Sequence, residues 1–356
     1  MIDLKTELQE KARLVADYIL NSPFRSQLSP KYVDDGAVAY TIRGGKMLRP
    51  AILLLACEAA GGDPKLALPA AAAIEMSHTW TLVHDDLIDN DDLRRGGPSL
   101  HAYYRQLNRP GIKDSVELEQ YARSMAMLVG DLQQAWAISM INELSDKVDV
   151  EVFRYIIREL TNYWVPRVMS GQALDLDYSR LPFDQVTEEM IVDMLDRKTA
   201  STFGFAGQAG AMIGINRLDK EDPTVKAIQQ ICLDAGLAFQ LRDDVLGVVG
   251  DEKELGKPIG SDIREGKKTL IIAHAYRTAT VQQRELLLSV LGNELATDDE
   301  VEQVHTILKE LGSIDYTESL AKKYADQARK VLDQLPDSRA KGLFEQWVDF
   351  IVNRIN

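Results

Sequence analysis

The stretch HTWTLVHDDLIDNDDLRRGG, residues 78–97, carries five aspartates within eight positions (Asp85, Asp86, Asp89, Asp91 and Asp92), and Arg94 and Arg95 follow at once. On a helix of about 3.6 residues per turn, Asp85 and Asp89 lie one turn apart on one face, with His78 and Asp92 close to the same line two turns either way. Like charges at that spacing cost a helix roughly a few tenths of a kcal/mol per pair, so something must compensate. One reading is a solvated acidic face. The acids, however, follow AAAAIEM and TLV with no interspersed lysine. A carboxylate row beside apolar residues calls for cations, and hard oxygen ligands in this geometry suit Mg²⁺, which takes one or two carboxylates plus substrate phosphates. The absence of an EF-hand loop argues against Ca²⁺.

A second acidic pair, Asp243 and Asp244, ends the apolar stretch GLAFQL; Gln240 precedes it and Lys257, Lys267 and Lys268 follow. Two acidic pairs in one bundle can face each other across a cavity and hold metal ions and a polyphosphate, with cationic side chains closing round the anion. RGGKMLRP sets Lys46 and Arg49 about one turn apart after a glycine pair that lets backbone approach a ligand closely, which suits phosphate. The alternative is an exposed helix start with two snorkelling cations. DRKTA adds Lys198 and Thr199, a cation and a hydroxyl. If the first acidic helix continues through them, Arg94 and Arg95 project in different directions and serve two separate anions.

The elements that must position these groups read as helices. Apolar residues recur every three or four positions in AILLLACEAA, YARSMAMLVGDLQQAWAISMI and YTESLAKKYADQARKVLDQL, while alternating β-branched runs are scarce. Breaks at Gly61-Gly62-Asp63-Pro64, Gly96-Gly97-Pro98, Arg109-Pro110-Gly111 and Asp222-Pro223 separate helices, and none reads as an interdomain linker. The expectation is an all-α fold, a single large helical bundle around a central cavity, with residues 1–356 forming one domain. The net charge of −14 opposes nucleic acid and anionic membrane surfaces unless basic residues gather locally. Cys57 and Cys232 have no metal-type spacing and read as core thiols in a reducing compartment. No apolar run is long enough to span a bilayer, so a soluble, unprocessed, cytoplasmic chain is expected.

The order GGKMLRP, IEMSHTWTLVHDDLIDNDDLRRGGPSLH, VGDLQQAWA, GQALDL, DRKTA, AFQLRDDVLG and GKPIGSDIREGKKTL resembles the trans-type isoprenyl diphosphate synthases, the polyprenyl synthetase family, from about Gly44 to Leu270. The resemblance implies the isoprenoid-synthase fold and head-to-tail elongation. An allylic diphosphate loses pyrophosphate, isopentenyl diphosphate attacks through its double bond, and a proton leaves, with no protein nucleophile. It further implies that Asp85 and Asp89 bind Mg²⁺ with Asp86 in support. Asp243 would bind from the second motif, and Asp244 would act through metal-bound water. Arg94, Lys198, Thr199, Gln240 and Lys257 would hold the allylic diphosphate, and Lys46, Arg49, His78 and Arg95 the isopentenyl diphosphate, with Gln172 lining the allylic region. A homodimer is likewise implied. Gly247 stands where the family often has a third aspartate, which predicts a changed water shell around an intact Asp243 ligand position.

In this family bulky residues just before the first motif set product length. Trp80 and Thr81, five and four positions before Asp85, thus point to geranylgeranyl diphosphate, with farnesyl diphosphate the alternative. Trp80 packed in the core is the competing reading. A class I terpene cyclase needs no second-substrate site, against which Lys46, Arg49 and Arg95 argue. A non-catalytic partner subunit sits poorly with intact acids in both motifs.

Overall fold

A computed structural model describes residues 3–107, 110–249, 261–293 and 295–353; Lys257 lies outside the described residues. Helix dominates, as the periodicity predicts. Among the described residues no helix is long and apolar enough to cross a membrane. The chain divides into two compact units, Met1–Ile157 with Gln208–Lys220, and Arg158–Gly207 with Glu221–Asn356.

The first unit contains α1 (Leu4–Leu20), α2 (Lys31–Ile42), α3 (Leu48–Ala59), α4 (Leu68–Asp89), a short hairpin of β1 (Leu93–Arg94) and β2 (Gly97–Pro98), α5 (Leu100–Gln106), α6 (Ser115–Asn142) and most of α7 (Val150–Arg158). Its axis is α4, which packs on α6, α3 and α1. Pro69 sits in the first turn of α4, where a missing N–H costs nothing, and the alanines at 70–73 are fully enclosed. The helix stops at Asp89 because Asn90 adopts the left-handed conformation (φ +57°), and both Asn90 and Asp91 donate backbone N–H bonds to the Asp86 carbonyl.

Two expectations change here. Asp92 leaves the carboxylate row and pairs with Arg105 at 3.1 Å and His101 at 3.2 Å. Arg94 and Arg95 are not helical: Arg94 pairs with Gly97 in the hairpin ladder, and the turn runs through Arg95 (φ +51°) and Gly96 (φ +71°). Positive φ at both central residues is what a two-residue hairpin turn demands, and Gly96 supplies one of them without strain.

The second unit contains α8 (Val165–Arg180), α9 (Glu188–Leu195), the start of α10 (Ser201–Ile215), α11 (Pro223–Val249), α12 (Ser261–Arg264), α13 (Leu270–Thr278), α14 (Val281–Val290), α15 (Asp298–Glu310), α16 (Ser313–Leu332) and α17 (Arg339–Asn353). Here α11 is the axis, packed along α16 and α17. Apolar clusters built on Leu237, Leu241 and Leu270, and on Val245, Ile271 and Leu308, fix its rotation. Two wide π turns interrupt the helices, Glu159–Trp164 and Asp196–Ala200, and the second coincides with DRKTA. Gly171 makes that turn possible, since a Cβ there would lie 2.5 Å from the Lys198 backbone nitrogen.

Candidate active site

In the first unit the basic residues converge on α4. Arg49, in the first turn of α3, lies with its NH1 3.2 Å from His78 Nε2. Burial, and then the guanidiniums of Arg49, Arg95 and Arg94, hold His78 well below the usual imidazole range, so it is neutral and accepts from Arg49. Burial also lowers the Arg49 pKa, with Glu75 pulling against that trend and Arg95 adding to it. Cations crowded round a neutral imidazole form a site that an anion stabilises. Lys46 lies exposed in the loop before α3. The glycine pair beside it serves a different purpose from the one expected of it. A Cβ on Gly45 would come within 2.9 Å of Arg95 Cζ, so this glycine makes room for a guanidinium.

The adjacent aspartates of the first motif have different surroundings. Asp85 and Asp89 are half-buried on one face of α4. Asp86 is fully enclosed: its Oδ1 accepts from Arg94, at 2.7 Å from Nε, and its Oδ2 accepts from the Tyr40 hydroxyl. Burial raises the Asp86 pKa, and Arg94 pulls it back down. Arg94 also reaches Asp91 at 3.1 Å. Arg43, just after α2, braces the hairpin by donating to the carbonyls of Pro98 (2.6 Å) and Arg94 (3.3 Å).

Trp80 is 8% exposed and packs edge-on to His84, whose Nε2 lies 3.3 Å from Asp131 on α6. Five positions along a helix turn it by about 140° from Asp85. Thr81 remains half-buried and donates to the His78 carbonyl at 2.8 Å.

In the second unit the π turn delivers Lys198 to Asp175 on α8 at 2.7 Å, and Thr199 to Gln240, donating to its Oε1 at 2.9 Å. Gln240 in turn donates to Asp244 Oδ1 at 2.9 Å, one helical turn on. Asp244 is buried, its Oδ2 has no hydrogen-bond partner among the described residues, and burial pushes it up to about 7. Lys198, Gln240, Asp244, Asp175, Asp262 and Lys267 line a cavity of about 120 Å³. Asp243 and Gln172 are half-buried on α11 and α8. Gly247, the departure in the second motif, has Asp262 Oδ2 3.2 Å from where its Cβ would stand, so a carboxylate from a later segment faces that position. Lys268 lines the same cavity. Its ammonium donates to the carbonyls of Tyr178 (2.6 Å) and Leu181 at the end of α8.

Tyr40, Glu75, Asp175 and Asp262 escape the sequence reading of the site. Glu75 left one signal, a lone acid inside the otherwise apolar run at 69–76; Asp175 stands within GQALDL. For Tyr40 nothing local announces that its partner lies 46 residues away.

The polyprenyl synthetase family profile matches residues 33–308. The geranylgeranyl diphosphate synthase of Saccharolobus solfataricus is 37% identical over 86% of this chain and 85% of its own length. The geranylfarnesyl diphosphate synthase of Aeropyrum pernix is 32% identical over 96% of this chain and 99% of its own. Among solved structures, geranylgeranyl pyrophosphate synthetase from Pyrococcus horikoshii Ot3 superposes with a TM-score of 0.84 at 33% identity, covering 99% of this chain and 98% of that one. A polyprenyl synthase from Caulobacter crescentus CB15, complexed with calcium and isoprenyl diphosphate, gives 0.79 at 28% identity, covering 99% and 95%.

Proposed function

The chain belongs to the polyprenyl synthetase family and is a prenyltransferase, and from that premise we propose that it condenses isopentenyl diphosphate head to tail with an allylic diphosphate in a Mg²⁺-dependent reaction, giving chiefly geranylgeranyl diphosphate. The observation that carries this reading is that α4 presents both a carboxylate row at Asp85 and Asp89 and, at the neutral His78, a separate cluster joined by Arg49 of α3 and Arg95 of the hairpin. A cyclase that ionises one diphosphate needs only one such anion site.

Oxygen donors alone, one turn apart at Asp85 and Asp89, fit Mg²⁺, as does the orphaned buried oxygen of Asp244. Among the described residues no group of three or more His, Cys, Asp or Glu side chains could hold a metal ion. Mg²⁺ takes one or two carboxylates and completes its shell with water and substrate phosphate. Asp85 and Asp89 would hold an ion at the first motif and Asp243 one at the second, Asp86 supporting through Arg94 and Asp244 through water. Bound there, the metal would neutralise charge on the departing diphosphate. Arg94 and Lys198 orient the allylic diphosphate, while Arg49, Lys46 and Arg95 hold the isopentenyl diphosphate. His78, uncharged, accepts a hydrogen bond from Arg49 and so fixes that guanidinium.

From this donor set, Mg²⁺ alone should shift the melting temperature little, and Mg²⁺ with inorganic pyrophosphate should raise it by several degrees, as differential scanning fluorimetry would record. A large shift with Mg²⁺ alone would contradict a substrate-completed shell.

The direct test incubates the pure protein with isopentenyl diphosphate, Mg²⁺ and each short allylic diphosphate, and sizes the products. Relatives named for geranylgeranyl and geranylfarnesyl products make chain length the open variable. With Trp80 as the floor, Trp80→Ala gives longer products; unchanged length assigns Trp80 to core packing. The same proposal treats both units as one domain, places the protein in the cytoplasm and makes it a homodimer. Val116, Met127 and Leu128, 77%, 52% and 62% exposed on α6, support a second copy docking there.

A further inference from the structure

Arg94 and Arg95 are neighbours in sequence, yet each is gripped by a different enclosed acid. Arg94 is held by Asp86 together with Asp91. Arg95 donates from NH2 to Glu75 Oε1 at 3.0 Å and from NH1 to the Tyr40 carbonyl at 3.0 Å. Glu75 is 1% exposed. A carboxylate enclosed in an alanine-rich helix is unfavourable unless paired, and its partner here is a guanidinium 20 residues on that belongs to the cation cluster round His78. With two N–H groups committed and Gly45 pressed against it, the guanidinium has one orientation.

We propose that Glu75 is a positioning residue that aims Arg95 at the diphosphate of isopentenyl diphosphate, an inference that rests on the functional reading above. Glu75 touches no substrate; it acts through Arg95. Asp86 and Asp91 hold Arg94; Tyr40 touches both networks, its carbonyl accepting from Arg95 and its hydroxyl donating to Asp86, whereas Glu75 grips Arg95, so loss of Glu75 should affect one substrate and spare the other.

The test is Glu75→Gln, read by steady-state kinetics with each substrate varied and by calorimetry with isopentenyl diphosphate alone. KM and Kd for isopentenyl diphosphate should rise about 10- to 100-fold, with KM for the allylic diphosphate and kcat at saturation unchanged. Gly45→Ala, on an exposed loop, should give the same selective rise by displacing the guanidinium while leaving the acid intact, and it decides the matter if Glu75→Gln does not fold. In an Arg95→Gln background, Glu75→Gln should add nothing. Equal losses for both substrates, or additivity with Arg95→Gln, would overturn the proposal and leave Glu75 a merely structural acid. A wild-type protein that binds no isopentenyl diphosphate sinks the functional reading and this inference with it. Wild-type binding matched by Glu75→Gln and Gly45→Ala overturns this inference alone.

Discussion

Asp85→Asn is expected to lower kcat/KM about a thousandfold at any Mg²⁺ concentration tested, because the amide keeps the shape of the side chain and loses the charge that holds a divalent ion. Asp85 is half-buried on α4 and the amide keeps its size, so chemical denaturation should be nearly unchanged. Turnover within tenfold of wild type would remove Asp85 from the metal site. The result is informative beside its neighbour, since the two carboxylates differ in burial and partners and not in chemistry.

Asp86→Ala should act on the fold instead. Among the described residues it leaves the Arg94 guanidinium, 22% exposed, paired with Asp91, and it deprives the Tyr40 hydroxyl of its acceptor. Removing one member of an enclosed ion pair costs about 3 kcal/mol or more, which urea unfolding of the purified variant would register as a lower midpoint. Asp86→Asn, which retains an acceptor oxygen, should lose less. A destabilisation below about 1 kcal/mol for the alanine variant would mean that Arg94 finds another partner.

How far the sequence reached depends on the range of the forces involved. Helices were legible because apolar spacing is a local signal, and so were the acids of both motifs, which stand on α4 and α11 as the spacing requires. The end of α4 was not. Asn90 in a left-handed cap cannot be told from Asn in a helical turn until neighbouring segments compete for its backbone. The hairpin that follows was hidden for the same reason, although Arg94 and Arg95 still reach different partners within it. Partners were illegible too, because a carboxylate chooses them through space: Glu75 pairs with a cation across 20 residues and Asp86 takes a hydroxyl from Tyr40 across 46. Lys268 shows the converse, a lysine in a basic stretch that settles on carbonyls about 90 residues earlier.

The wide turn at Asp196–Ala200 has a consequence for what this chain can tolerate over time. One residue more than a regular helix turn is accommodated there, with the backbone of Gly171 lying against it. Removing or adding a single amino acid would rotate everything beyond it by about 100°. Lys198 would then swing away from Asp175, and the buried side of α10, with Phe203 and Ala206, would turn outward. Side chains in this segment can drift, but its length is frozen.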